Sequence, residues 1–377
     1  MKKLLYPTLF LFLNVANPLN AQTPVFGSEF HVTINGLTFD AMEPFLSTDG
    51  NALFFNSLND GITTSLYYAS RVNDVTFNYI GPVPVVNQTV TPRLDGVASV
   101  DTLNNFYWVS TRNYSTSFEN LHRVRFLTSG YENFGPLHGN FYIPLPGWLI
   151  MDAGINFHGD QLIYCNAQFN GCANGLPCRA SMGLANKVND STFNKDLNTD
   201  ILMANVNDTS TYIVYAPALT KDGLELYYTR LLKNSTQTEI MVATRTNTVS
   251  PFSVGTLLIG APYIAPEAPT LSTDKTKMYY HRKNGSLHEI YLRYRTGTSD
   301  IYKNTNDPDF GIYPNPTNGI VHIRSVEDVR ITVYNMLGEE VLKTTSHNFS
   351  LSDVPAGLYF VNVTSNKTTQ LVKLIKE

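Results

Sequence analysis

Charge is scarce in this 377-residue chain: 15 % of residues are Asp, Glu, Lys or Arg, and the formal net charge is −4. No long cationic run occurs. A nucleic-acid partner is therefore disfavoured, as is an anionic membrane surface, because phosphate contacts need clustered Lys and Arg. Cysteine is scarcer still. Its three residues, Cys165, Cys172 and Cys178, sit in one short segment. They lack a paired CxxC spacing and no His lies among them, which argues against a metal site. In an exported chain they favour one local disulfide and one leftover thiol, with Cys172–Cys178 the preferred pair. Catalytic motifs are missing: there is no HExxH, GxSxG, P-loop or GxGxxG, and no two His residues stand at i, i+4. No cofactor is implied. The apolar run at residues 4–15 falls short of the roughly 20 residues that a membrane helix needs. It follows Lys2 and Lys3 and precedes the small-residue site Leu19-Asn20-Ala21. Residues 1–21 thus read as an export signal cleaved between Ala21 and Gln22.

Tyr and Phe, in contrast, are abundant, at 22 and 21 residues. They concentrate in a stretch that recurs. Residues 43–57 read EPFLSTDGNALFFNS. Degraded copies follow at 95–110 (DGVASVDTLNNFYWVS), 152–166 (DAGINFHGDQLIYCN), 215–229 (YAPALTKDGLELYYT) and 267–281 (EAPTLSTDKTKMYYH). Each has a short apolar run, a polar turn and an alternating aliphatic–aromatic run, the pattern of a β-hairpin. The period is about 50 residues. The repeat extends further, since ASRVNDVTF at 69–77 matches ANKVNDSTF at 185–193. Each unit reads as four strands, in the first unit near 44–47, 52–56, 65–70 and 82–87. Four-stranded units at this period are blades of a β-propeller, which leaves only short sheet edges exposed. The fold expected is all-β, with five blades over residues 22–296. The fifth copy stops after three strands. Residues 30–35 align with 82–87, so an N-terminal strand is expected to close the last blade.

The motifs PFLSTDG at 44–50 and PALTKDG at 217–223 resemble the repeat of TolB-like (WD40-like) propellers. The likeness covers about residues 26–295. The second and third copies depart from it, with Gly96 and Ala153 in place of Pro. Residues 297–309 are polar and read as a linker. Beyond them, YPNP at 313–316, VYNMLGEEV at 333–341 and PAGLYFVNV at 355–363 closely resemble the C-terminal sorting domain of the type IX secretion system of Bacteroidetes. That resemblance, over 310–377, implies a small immunoglobulin-like β-sandwich. It also implies the type IX machinery as a partner, and delivery to the cell surface or the medium.

Two recurrent charge positions remain. A cation ends the third strand of every unit: Arg71, Arg125, Lys187, Arg245 and Arg295. Pairing with the turn acids, as Asp49–Arg71 or Asp222–Arg245, is geometrically open. Acids also stand near the start of the innermost strand, at Glu43, Asp95 and Asp152, with Glu267 one residue off. They are expected around the channel mouth, beside variable loops that include Tyr114. Substituting Asp95, Asp152 or Tyr114 is expected to weaken binding and spare the ring. The main functional expectation is a non-catalytic module binding a glycan, peptide or protein. The alternative is an enzyme acting on polysaccharide through inner-strand carboxylates.

Overall fold

The structure is a computed structural model. It describes residues 23–172, 175–296, 311–324, 328–336, 338–364 and 369–377. The expected signal at 1–21, its cleavage site at Ala21 and Gln22, and the expected linker at 297–309 lie outside the described residues. The chain divides after Arg295 into two compact units.

The first unit contains five sheets of four or five strands. Their innermost strands are Met42–Leu46, Arg93–Val100, Trp148–Ile155, Tyr212–Leu219 and Ile264–Leu271. Each pairs antiparallel with the second strand of its hairpin. Consecutive innermost strands lie against one another, and the fifth lies against the first. The architecture is all-β and propeller-like.

Strand alternation builds the core. Leu53 and Phe55 face the fifth sheet, packing with Tyr279 and Leu292. In the second sheet Phe106 and Trp108 pack with Leu66 of the first, whereas Tyr107 and Val109 pack with Tyr164 of the third. Both faces of these middle strands are buried, so FYWV reads as one apolar run without a polar side. Comparable layers join the third sheet to the fourth and the fourth to the fifth.

The hairpin turns explain the repeated Ser/Thr-x-Asp. Ser47 Oγ donates to Asp49 Oδ1 at 2.6 Å, and the Asn51 N–H donates to the same oxygen at 3.0 Å. Gly50 takes the left-handed conformation that closes this turn (φ 74°). Thr220 with Asp222, and Ser272 with Asp274, repeat the bond. These acids are consumed locally, and the third-strand cations go elsewhere. Arg71 pairs with Asp74, Arg245 donates to Gly223 O and Thr248 O, and Asp222 pairs with Lys275.

The fourth strand differs from expectation. In the first sheet it is Thr76–Pro82, not 82–87. The segment 73–76 is itself the turn: Asn73 Oδ1 accepts from the Val75 N–H at 2.9 Å. Asn87 lies beyond the strand and brackets Leu66, at 2.7 and 2.9 Å. The closing strand shifts for the same reason. Val25–His31, not 30–35, lies beside Leu287–Thr296 as the outer strand of the last sheet. Glu29 fastens it through Arg282 (2.7 Å) and the Tyr280 hydroxyl. Thr33–Asn35 then crosses to the first sheet and pairs parallel with Thr76–Pro82.

The second unit has two sheets. One is Gly311–Tyr313, Ile320–Arg324 and Asn348–Ser350. The other is Glu340–Thr344, Arg330–Tyr334, Gly357–Thr364 and Thr369–Lys376. Val321, Ile323 and Phe349 from the first share one core with Ile331, Val333 and Val361 from the second.

Candidate functional site

Four of the five innermost strands carry a β-bulge at an equivalent residue in the left-handed region, Glu43 (φ 51°), Val97 (57°), Ala216 (49°) and Ala268 (51°), and the fifth strand has a second such residue at Ala265 (48°). The bulge removes that residue's amide from its own ladder. The amide donates instead to a side chain of the preceding sheet. Val97 N–H reaches Asn56 Oδ1 (3.3 Å), Ala216 N–H reaches Asp152 Oδ2 (3.2 Å), and Ala268 N–H reaches Thr229 Oγ1 (3.0 Å). Glu43 N–H reaches His281 Nδ1 (3.0 Å), from the fifth sheet to the first. Between the second and third sheets, Ile155 N–H donates to Ser99 Oγ (2.8 Å).

This register sets Asp152 and Glu267 at one level, and Glu43 joins them from the bulge position, one residue on from Met42, which lies opposite Asn56. Asp152 lies opposite Cys165, Tyr215 opposite Thr229, and Glu267 opposite His281, all at equivalent positions. In the second sheet that position is Gly96, opposite Val109, and Asp95 lies one residue earlier, opposite Ser110. One residue turns a side chain to the other face of the strand. Asp95 is accordingly buried within its own sheet. It accepts from Trp108 Nε1 (3.2 Å), Arg112 Nη2 (3.0 Å) and the Gln88 N–H (2.7 Å). Tyr114, on the short helix Tyr114–Ser117, donates its hydroxyl to Trp148 O at 2.5 Å and so ties its loop to the third sheet.

Glu43, Asp152 and Glu267 do come together. Glu43 and Asp152 line the channel cavity with Gly154, Ala216 and Ala268. The three acids are close enough to raise one another's pKa. Burial pushes Glu43 well above the usual carboxylate range, and the charges of Asp152 and Glu267 add to it. Burial lifts Asp152 to about 7, against the Ala216 amide. It also lifts Glu267 to about 7, opposed by a hydrogen bond from Tyr215 and reinforced by Asp152. Tyr215 is held well above the usual phenol range, first by burial and then by the Glu267 charge. Burial, then His288, pushes His281 down to about 3. The ring is neutral, and since Nδ1 accepts from Glu43, the proton sits on Nε2. Nε2 lies 3.8 Å from Glu267 Oε2, and the Glu267 side chain stays 20 % exposed.

Two polar atoms of this group are buried without a partner: Glu43 Oε2 and His281 Nε2. Glu43 Oε1 takes a bond from Asn59 Nδ2 at 3.3 Å. Among the described residues no Lys or Arg forms an ion pair with any of the three acids, and no trio of His, Cys, Asp or Glu is arranged to hold a metal ion. Tyr215 and His281 escape the sequence reading. The signal for His281 is the end of each second strand, where Asn56, Val109, Cys165, Thr229 and His281 align and Asn56, Thr229 and His281 accept from the next sheet's bulged amide; Tyr215 lies on the inner strand itself. In the third sheet the thiol of Cys165 fills that place and bonds Val214 O (3.2 Å), and Asp152 carries the link to the next sheet. Cys172 and Cys178 are joined by a disulfide, and Cys165 is free and buried.

A propeller-like all-β unit joined to an export domain is the class that fold and site define. Residues 311–377 match the family described as the secretion system C-terminal sorting domain. This domain implies handling by the type IX secretion machinery and export to the cell surface or extracellular space. No curated protein matches the chain. Among solved structures it is similar to Zg3597, a family 117 glycoside hydrolase of the marine bacterium Zobellia galactanivorans, at 11 % identity and TM-score 0.47, covering 78 % of this chain and 96 % of that one. It is similar to a xylan beta-1,4-xylosidase from Bacillus halodurans C-125, at 8 % identity and TM-score 0.43, covering 91 % and 92 %. TolB from Acinetobacter baumannii is matched at 11 % identity and TM-score 0.37, covering 69 % and 55 %.

Proposed function

We propose that residues 23–296 form a five-bladed propeller, and that the exported protein acts on polysaccharide at the acid end of its channel. One observation carries this reading: Glu43, Asp152 and Glu267 converge from three sheets and hold protons toward neutral pH. Hydrolysis of a glycosidic bond needs one protonated and one ionised carboxyl group. Glu267 keeps contact with solvent and gives its proton to the leaving oxygen. Asp152, whose charge the Ala216 amide favours, takes the proton of the attacking water. The water oxygen bonds to the sugar carbon as the old C–O bond breaks.

A second reading, a non-catalytic glycan-binding module, has its own support. The Asp152–Ala216 bond is the same inter-sheet link that Asn56, Thr229 and His281 make. Reducing-end release from a panel of polysaccharides by the exported protein separates the two. Under the enzyme reading, Glu267→Gln lowers release by about a hundredfold or more, with melting unchanged at pH 5, where Glu267 holds its proton. Binding without release from any substrate leaves the binding module.

A further inference from the structure

The acid cluster lacks a counter-cation, and two of its buried polar atoms lack partners. Glu43 faces the group from the first sheet, Asp152 and Cys165 from the third, Tyr215 from the fourth, and Glu267, His281 and His288 from the fifth. From the second sheet come Gly96, Val97 and Ala98, none of them titratable. A Cβ at Gly96 would stand 3.6 Å from Asn56 Oδ1 and 3.7 Å from Glu43 Oε2, so both side chains lie at ordinary contact distance from that position. His288 is engaged by Asp40 at 2.9 Å, and among the described residues no Lys or Arg forms an ion pair with the three acids. Buried carboxylates are paired, metal-bound or protonated, and no metal-holding trio exists among the described residues. What an occupant must supply follows from the two unpartnered atoms. Glu43 Oε2 accepts a hydrogen bond. His281 Nε2, with Nδ1 occupied by the Glu43 amide, donates one.

We propose that this cluster takes an amino sugar with a free amine: the ammonium group sits against Glu43 and its neighbouring acids, and an adjacent sugar oxygen accepts from His281 Nε2. A plain hydroxyl satisfies the hydrogen bonds but gives the acids no charge to ionise against. An anionic sugar meets three acids that pair with no Lys or Arg among the described residues. Binding a cation here displaces protons, because acids that are neutral in the empty site ionise beside the ammonium. The inference rests on the glycan-directed reading above and names its ligand class.

The test is calorimetric titration of the exported protein at pH 7 with a glucosamine oligomer, and with the same oligomer fully N-acetylated. Two buffers of different ionisation enthalpy report proton release. The expected result is at least tenfold tighter binding of the free-amine oligomer, with net proton release that falls in Glu43→Gln or, should that variant melt early, in Glu267→Gln. Equal or tighter binding of the acetylated or another neutral oligomer overturns the amine and leaves the glycan-directed reading standing. Failure of every oligosaccharide to bind overturns both.

Discussion

At Glu43, Asp152 and Glu267 the folded chain keeps protons that the unfolded chain releases at ordinary carboxylate pH. Their pKa values are raised on folding, so the native state binds more protons than the unfolded state between about pH 4 and 7. The stability this linkage gives is complete below the unfolded pKa and is lost as pH rises through about 7. Melting temperature is therefore expected to fall from pH 5 to pH 8, and Glu43→Gln to flatten that fall, measured by thermal melts across the range. A melting temperature that rises with pH over this interval contradicts the burial of the cluster. Asp95 behaves differently. Asp95→Ala strands Arg112 and Trp108 Nε1 in a buried site, and is expected to cost about 2–4 kcal/mol in urea unfolding. The sequence places Asp95 with the other acids because it counts residues along the strand. The first and second inner strands carry the same bulge, but Glu43 is the bulged residue itself and Asp95 lies two residues before its counterpart Val97, an offset that no sequence signature marks. Glu43 and Asp152 are legible as charges on inner strands. Tyr215 and His281 are not, because their part depends on bonds between sheets that no single repeat displays.

The hairpins are the most legible elements. Alternating aromatics and a Ser-x-Asp-Gly turn specify both strands and their connection within one short window. The fourth strands are less so. Thr76–Pro82 is short, exposed on one side and separated from the third strand by a tight Asn turn, so its apolar signal is weaker than that of residues 82–87. That shift carries to the closing strand. Two expectations follow for Val25–His31. Deleting residues 23–31 exposes the edge of Leu287–Thr296 and should lower the melting temperature sharply, by 10 °C or more on the order expected for several kcal/mol. Glu29→Ala, which frees Arg282 and the Tyr280 hydroxyl, should cost about 1–3 kcal/mol. Unchanged melting in both variants would show that this strand does not hold the seam.

For the molecule as a whole, the sorting domain gives an address that the first unit does not encode. A chain ending before residue 311 is expected to stay in the periplasm, as read by fractionation and surface proteolysis, while keeping the melting curve of the first unit. Surface display of the truncated chain would place the export signal elsewhere. The two strands at the seam also have a mechanical consequence. Val25–His31 and Leu287–Thr296 are neighbours in one sheet, yet they stand at opposite ends of the first unit's sequence. Tension applied between the chain termini therefore loads one pair of strands before any other part of the ring. When that pair parts, the load passes to Thr33–Asn35, paired with the first sheet, and to the pairing of Leu287–Thr296 with Lys277–Asn284. Once these pairings part, each sheet peels in turn from a free end. A machine that grips the C-terminal domain pulls directly on one member of that pair.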